Sequence, residues 1–195
     1  MFWLIIFIII IFVILYFIYN KIYKHDNLIK VKSPIDNEYY WVRDKNDKIN
    51  AVITLSNIKI NMKKLVSFLQ TNQNKFPENM SYIKDLVSRT KTINILETPQ
   101  DDKYTSYTIN KGESINFCLR SKIIDNIHDM NTLMYVVIHE MAHVGCPEYG
   151  HTKLFKQIFK FLLQQSIEIG LYKPIDYRIN PQNYCGMTIN EYILD

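Results

Sequence analysis

The spacing of hydrophobic positions along this chain changes several times, and each change marks an element. From Met1 to Tyr19 the residues are mainly Ile, Phe, Leu and Tyr, with no charged side chain, and as a helix this length spans roughly 30 Å of hydrocarbon. Residues 1–19 are expected to form a transmembrane anchor. A cleaved signal would end in small residues, whereas this run passes straight into Tyr19-Asn20-Lys21-Ile22-Tyr23-Lys24. Residues 20–34, polar and broken by Ser33-Pro34, read as a juxtamembrane linker. Residues 35–195 then read as one folded domain, which opens on a short extended segment at Tyr39-Tyr40-Trp41-Val42.

Val52, Leu55, Ile58, Met62, Leu65, Val66 and Leu69 recur every three or four residues, the spacing of an amphipathic helix that ends before Thr71-Asn72. A shorter helix follows Phe76-Pro77, with Met80, Ile83, Leu86 and Val87 on one face. Three short runs rich in β-branched and aromatic residues come next, Thr92 to Glu97, Tyr104 to Ile109 and Ser114 to Leu119. They are separated by Pro99-Gln100-Asp101-Asp102 and Asn110-Lys111-Gly112 and read as a small antiparallel sheet in meander order. A helix capped by Asp129 or Asn131 begins near Thr132 and stops at Gly145 before Pro147, and a last helix runs from about Thr152 to Ile169, closed by Gly170. The tail beyond it reads as irregular. The fold expected is α+β, helices packed on one small sheet.

Charge and cysteine content narrow this picture. The net charge of +4 lies outside the apolar run and permits contact with nucleic acid or anionic lipid without demanding it; ordinary solvated lysine is the reading taken. Lys21, Lys24, Lys30 and Lys32 stand against Asp26 on the C-terminal flank of the run. By the positive-inside rule a single-pass protein would keep its domain in the cytosol, or inside a virion derived from it. Cys118, Cys146 and Cys185 are odd in number and follow no disulfide or CxxC pattern, which fits a reducing compartment.

The chemistry lies in the helix that starts near Thr132. His139-Glu140-Met141-Ala142-His143 is an HExxH sequence, and positions four apart on a helix share a face, so both imidazoles can reach one metal ion. Zn2+ is the natural occupant, bound in hydrolytic sites by three protein ligands with the fourth position left for water. Glu140 stands beside that water as the catalytic base. Val136-Val137-Ile138 before the motif and Met141-Ala142 within it place the helix in a core, where two histidines and a carboxylate are costly to desolvate without a partner. His151, after the turn Gly145-Cys146-Pro147-Glu148-Tyr149-Gly150, is the leading third ligand, with Glu148 and Cys146 as rivals. His25 and His128 have no partner at ligand spacing and read as a membrane-proximal and a helix-flanking residue. Tyr177 and Tyr184 read as tyrosines packed on the core with their hydroxyls in water, against the alternative of a hydrogen bond to an oxyanion.

His139 to His143, followed by Glu148-Tyr149-Gly150-His151-Thr152-Lys153-Leu154-Phe155, resembles the WLM and SprT-like zinc metallopeptidase families, close to the small versions carried by large DNA viruses. The resemblance covers about half of residues 35–195. It implies a compact zincin-like domain, His139, His143 and His151 as zinc ligands, Glu140 as base, and a protein or peptide as substrate. Crosslink repair on DNA does not carry over, because no zinc ribbon or second domain accompanies the motif. The expected function is a membrane-anchored zinc peptidase. The alternative is a catalytically idle scaffold that binds a protein partner at a membrane, in virion assembly or entry; the intact Glu140 favours the enzyme.

Overall fold

A computed structural model describes residues 2–23, 28–121 and 124–195. The first helix, α1 (Phe2–Tyr23), precedes a hairpin of β1 (Leu28–Lys32) and β2 (Tyr39–Arg43), in which Leu28 lies opposite Arg43. The ordered fold thus includes β1, ahead of the boundary expected at Ile35, because Leu28 and Val42 are buried in the core. His25 lies outside the described residues.

The expectation of a single-pass membrane protein with a transmembrane helix over residues 1–19 does not hold. Among the described residues no helix is long and apolar enough to cross a membrane. The membrane contact and the cytosolic or virion-internal placement derived from the anchor fall with it.

α2 (Lys48–Asn72) buries Val52, Leu55, Ile58, Met62, Leu65 and Leu69, the stripe read from the sequence, and begins one turn earlier than that stripe. Two short 3-10 turns, the second with Pro77 at its first position, lead into α3 (Met80–Thr90), which buries Ile83 and Leu86. The three central strands are β3 (Asn94–Glu97), β4 (Tyr107–Ile109) and β5 (Ser114–Phe117). Their order is β3-β5-β4, with β3 parallel to β5 and β4 antiparallel to it, so the sheet is mixed where an antiparallel meander was expected. The connection 98–106 is long enough to carry the chain past the position that β5 fills, and Thr98 pins its two ends by donating from Oγ1 to the carbonyl of Thr105 at 2.7 Å.

α4 (Met130–Gly145) runs through the core between α3 and α5 (Lys153–Glu168). Gly145 faces α3, where an added Cβ would come into van der Waals contact with the Tyr82 carbonyl at 3.4 Å. After α5 the tail, expected to be irregular, forms a hairpin of β6 (Gln182–Tyr184) and β7 (Met187–Ile189). Cys118 and Cys185 are joined by a disulfide, which corrects the expectation of unpaired thiols in a reducing compartment; Cys146 is free and buried. The two partners are 67 residues apart in sequence, so only the fold brings them together.

At the base of the sheet lies a buried ion cluster. Arg120, with no exposed surface, donates to both carboxylate oxygens of Asp47 and to Glu97, and Glu97 also accepts from the Arg43 backbone amide. Asp47 stands at the N-cap of α2 but makes no side-chain cap bond; its carboxylate is engaged by Arg120 instead.

Candidate metal centre

α4 owes its position to its two ends. Asp129 caps the N-terminus, accepting from the Thr132 amide at 3.0 Å and from its hydroxyl at 2.6 Å. At the C-terminus Arg89 donates to the carbonyl of Val144, and Lys111 donates to the carbonyls of Cys146 and Glu148. Lys111 also lies 4.2 Å from the centre of the Tyr149 ring. It sits in the β4–β5 turn at φ +57, and that turn delivers its ammonium to the loop between α4 and α5. Seven residues separate His143 from His151, and this anchored loop folds them back so that His151 faces α4.

The result is a convergence of three imidazoles. His151 Nε2 lies 3.0 Å from His139 Nε2 and 3.2 Å from His143 Nε2. Among the described residues this is the one set of three His, Cys, Asp or Glu side chains whose ligating atoms cluster closely enough for a metal ion. Three nitrogens each 2.0–2.1 Å from one tetrahedral zinc ion sit about 3.3 Å apart, so the donor set fits the ion. Burial first, and the neighbouring imidazoles second, push His139 down to about 3; the same causes, with Lys111 adding to them, push His143 down to about 4. Both rings are therefore neutral at pH 7 and present lone pairs, the form that binds metal.

The rings are held by aromatic packing. Phe155, one turn into α5, stacks on His143 at 4.2 Å between ring centres and meets His139 and His151 edge-on at 4.9 Å. Phe159 lies 5.1 Å from His139. Thr152 caps α5 by accepting from the Phe155 amide and also donates to Glu148 Oε2. Glu148, a rival ligand in the sequence, is thus engaged at the start of α5. Cys146, the other rival, is fully buried and outside the histidine cluster.

Glu140 is 4% exposed. Burial pushes its carboxyl up to about 7, partly offset by the hydrogen bond that Thr108 Oγ1 donates to Oε2 at 2.8 Å. Ser106, in the bend just before β4, shares a 2.6 Å hydrogen bond with the Tyr184 hydroxyl. The histidines, Glu140, Ser106, Thr108 and Tyr184 all line a cleft of roughly 640 Å³. Tyr184 and Tyr177 are 2% and 0% exposed, not the water-facing tyrosines expected. His128, expected only to flank a helix, accepts from the Cys185 amide at 3.4 Å. Sequence reading missed Thr108, Lys111 and Ser106. The sole signal was the turn sequence Asn110-Lys111-Gly112, which fixes where β4 ends but not what its side chains meet.

No protein-family model matches the chain. Two crystal structures of Wss1 from Saccharomyces cerevisiae, one of them a mutant, align at TM-score 0.48 with 22% and 21% identity; they cover 66% and 67% of this chain and 86% and 91% of theirs. Uncharacterized protein 136R of Invertebrate iridescent virus 6 and Uncharacterized protein 042R of Invertebrate iridescent virus 3 are each 43% identical over 82 residues. These matches span 44% and 50% of those relatives, so they relate only part of each. Uncharacterized protein R325 of Acanthamoeba polyphaga mimivirus is 45% identical over 164 residues, which cover 84% of this chain and 83% of the relative. Identity of that extent over most of both chains shows that this chain belongs to the family of R325.

Proposed function

We propose that the chain is a zinc-dependent metallopeptidase that hydrolyses peptide bonds of a protein or peptide substrate in the cleft beside α4. The observation that carries this reading is the meeting of three imidazole nitrogens with a buried carboxyl group, that of Glu140, in one cleft. His139, His143 and His151 would hold the ion. When bound, zinc supplies Lewis acidity and lowers the pKa of a coordinated water to about 7.

The remaining work falls to side chains of this chain. Glu140 takes a proton at one carboxylate oxygen while Thr108 holds the other at 2.8 Å, which fixes the carboxylate plane toward the cleft. The same carboxyl then passes the proton to the departing amine. β4 is an edge of its sheet and its residues line the cleft, so an extended peptide can pair with its outer backbone. The resemblance of His139 to Phe155 to WLM and SprT-like peptidases adds to this reading.

The test is cleavage of casein by the full chain. Stripping with a chelator should abolish hydrolysis, and one equivalent of zinc should restore it. Cleavage that persists unchanged in the stripped protein would remove zinc from the mechanism.

A further inference from the structure

One wall of the cleft comes from the C-terminal tail: Tyr184, Met187, Thr188 and Ile189 of the hairpin line it, next to Thr105 and Ser106 ahead of β4. The hairpin has two strands of three residues each, and a two-stranded hairpin is at best marginally stable by itself. Its position must therefore come from what fastens it. Outside the hairpin, Arg178 pairs with Asp176 and Asp195, which joins one part of the tail to another, and Lys160 of α5 donates to the backbone oxygen of Asp195; contacts of that kind at the surface contribute little.

The stronger fastening is a closed ring of contacts at the turn. Cys185 is bonded to Cys118 at the end of β5. The Cys118 amide donates to Ser106 Oγ at 3.0 Å, and Ser106 Oγ shares its 2.6 Å bond with Tyr184, the residue before Cys185. Cys185 and Gly186 form the two-residue turn at φ +51 and +83, where Asn or Gly is the ordinary choice. A cysteine there sacrifices turn preference for the bond across to Cys118. Ser106 stands two residues before Thr108, so the stretch that anchors the tail also holds the Glu140 carboxyl group.

We propose that Cys185 and Tyr184 are positioning residues of the cleft, which through Cys118 and Ser106 hold the hairpin as the wall that grips the substrate, so that substrate capture requires the Cys118–Cys185 bond. The proposal rests on the peptidase reading for its substrate class. The three histidines that would hold the ion stand on α4 and the loop ahead of α5, outside the ring, so breaking the bond would loosen the wall and leave the histidine set in place. Both sulfurs are buried, and the bond persists while the hairpin is seated.

Cys185→Asn deletes the bond and keeps a residue suited to positive φ. The zinc-loaded full chain and this variant are compared for zinc content, for binding of a fluorescein-labelled casein peptide by anisotropy, and for kcat and KM. The expected result is unchanged zinc, peptide affinity and KM weakened by about tenfold, and kcat within about threefold, the pattern of lost binding rather than lost chemistry. Cys118→Ala should reproduce it, which guards against a turn defect peculiar to position 185. A disulfide that only stabilises the fold would lower the melting temperature of both variants and leave peptide affinity unchanged at low temperature. That outcome, or no peptide affinity in any of the proteins, overturns the proposal. If no peptide is hydrolysed while affinity still falls in both variants, the hydrolase reading fails and the wall stands.

Discussion

The two sides of the cleft are built by different means. On the helix side, His139, Glu140 and His143 fall within five consecutive residues, and His151 follows after one short loop. On the strand side, Ser106, Thr108 and Lys111 come from one stretch and Tyr184 from another far along the chain, joined by a hydrogen bond and a disulfide. Helical geometry alone aims His139 and His143, because i and i+4 share a face, and the loop held by Lys111 brings His151 to them. Nothing local aims the second. The helix side carries groups that would touch an ion or a substrate, while much of the strand side sets where those groups stand.

If that division is right, damage to the two sides differs in kind as well as in size. The largest effect belongs to the helix side: His143→Ala should abolish zinc binding by the full chain, read as metal per chain by mass spectrometry, since two imidazoles remain from a set of three. Unchanged metal content would break the comparison at once. A strand-side substitution should weaken without abolishing. Lys111→Met removes the donor to the Cys146 and Glu148 carbonyls, and loss of a support around a ligand set costs about 10–100-fold in metal affinity. Chelator competition measures this, and an effect as large as that of His143→Ala would erase the distinction.

The same contrast explains what could be read from the sequence. The helices α4 and α5, the Asp129 cap, the turn that returns His151 and the β4–β5 turn at Asn110-Lys111-Gly112 were legible because each depends on residues within a few positions. The parallel pairing of β3 with β5 was not, because a period of two marks a strand without naming its neighbour. β6 and β7 are too short for a period to show. The bond between Cys118 and Cys185 depends on a Cα separation of 6.3 Å across 67 residues, a distance that only the assembled fold sets. The apolar run at the N-terminus was read from its composition, and that reading did not survive the described part of α1.

The smallest effect is expected at the base of the sheet. Hydrogen bonds from Arg120 hold the Asp47 carboxyl below its ordinary range. A carboxyl with a lowered folded pKa contributes stability above its unfolded pKa of about 3.9, and that contribution is lost as pH falls through the folded value. Asp47 is about one-third exposed, so solvent screens the term. Thermal melts between neutral pH and acid should show a shallower acid decline for Asp47→Asn than for the unmodified chain, with cleavage and zinc content at neutral pH untouched. An identical decline in both proteins would remove Asp47 from the account of acid stability.

The central claim is that Glu140 performs proton transfer beside an ion held by three histidines without being a ligand itself. Glu140→Gln keeps the side-chain shape and the oxygen that accepts from Thr108 but cannot take a proton. Zinc content, melting temperature and peptide cleavage measured together on this variant and the unmodified chain separate loss of chemistry from loss of metal or fold. The account predicts one zinc per chain in both proteins, similar melting, and cleavage lower by about 10²–10⁴-fold in the variant. Cleavage at the unmodified rate with zinc in place would contradict it.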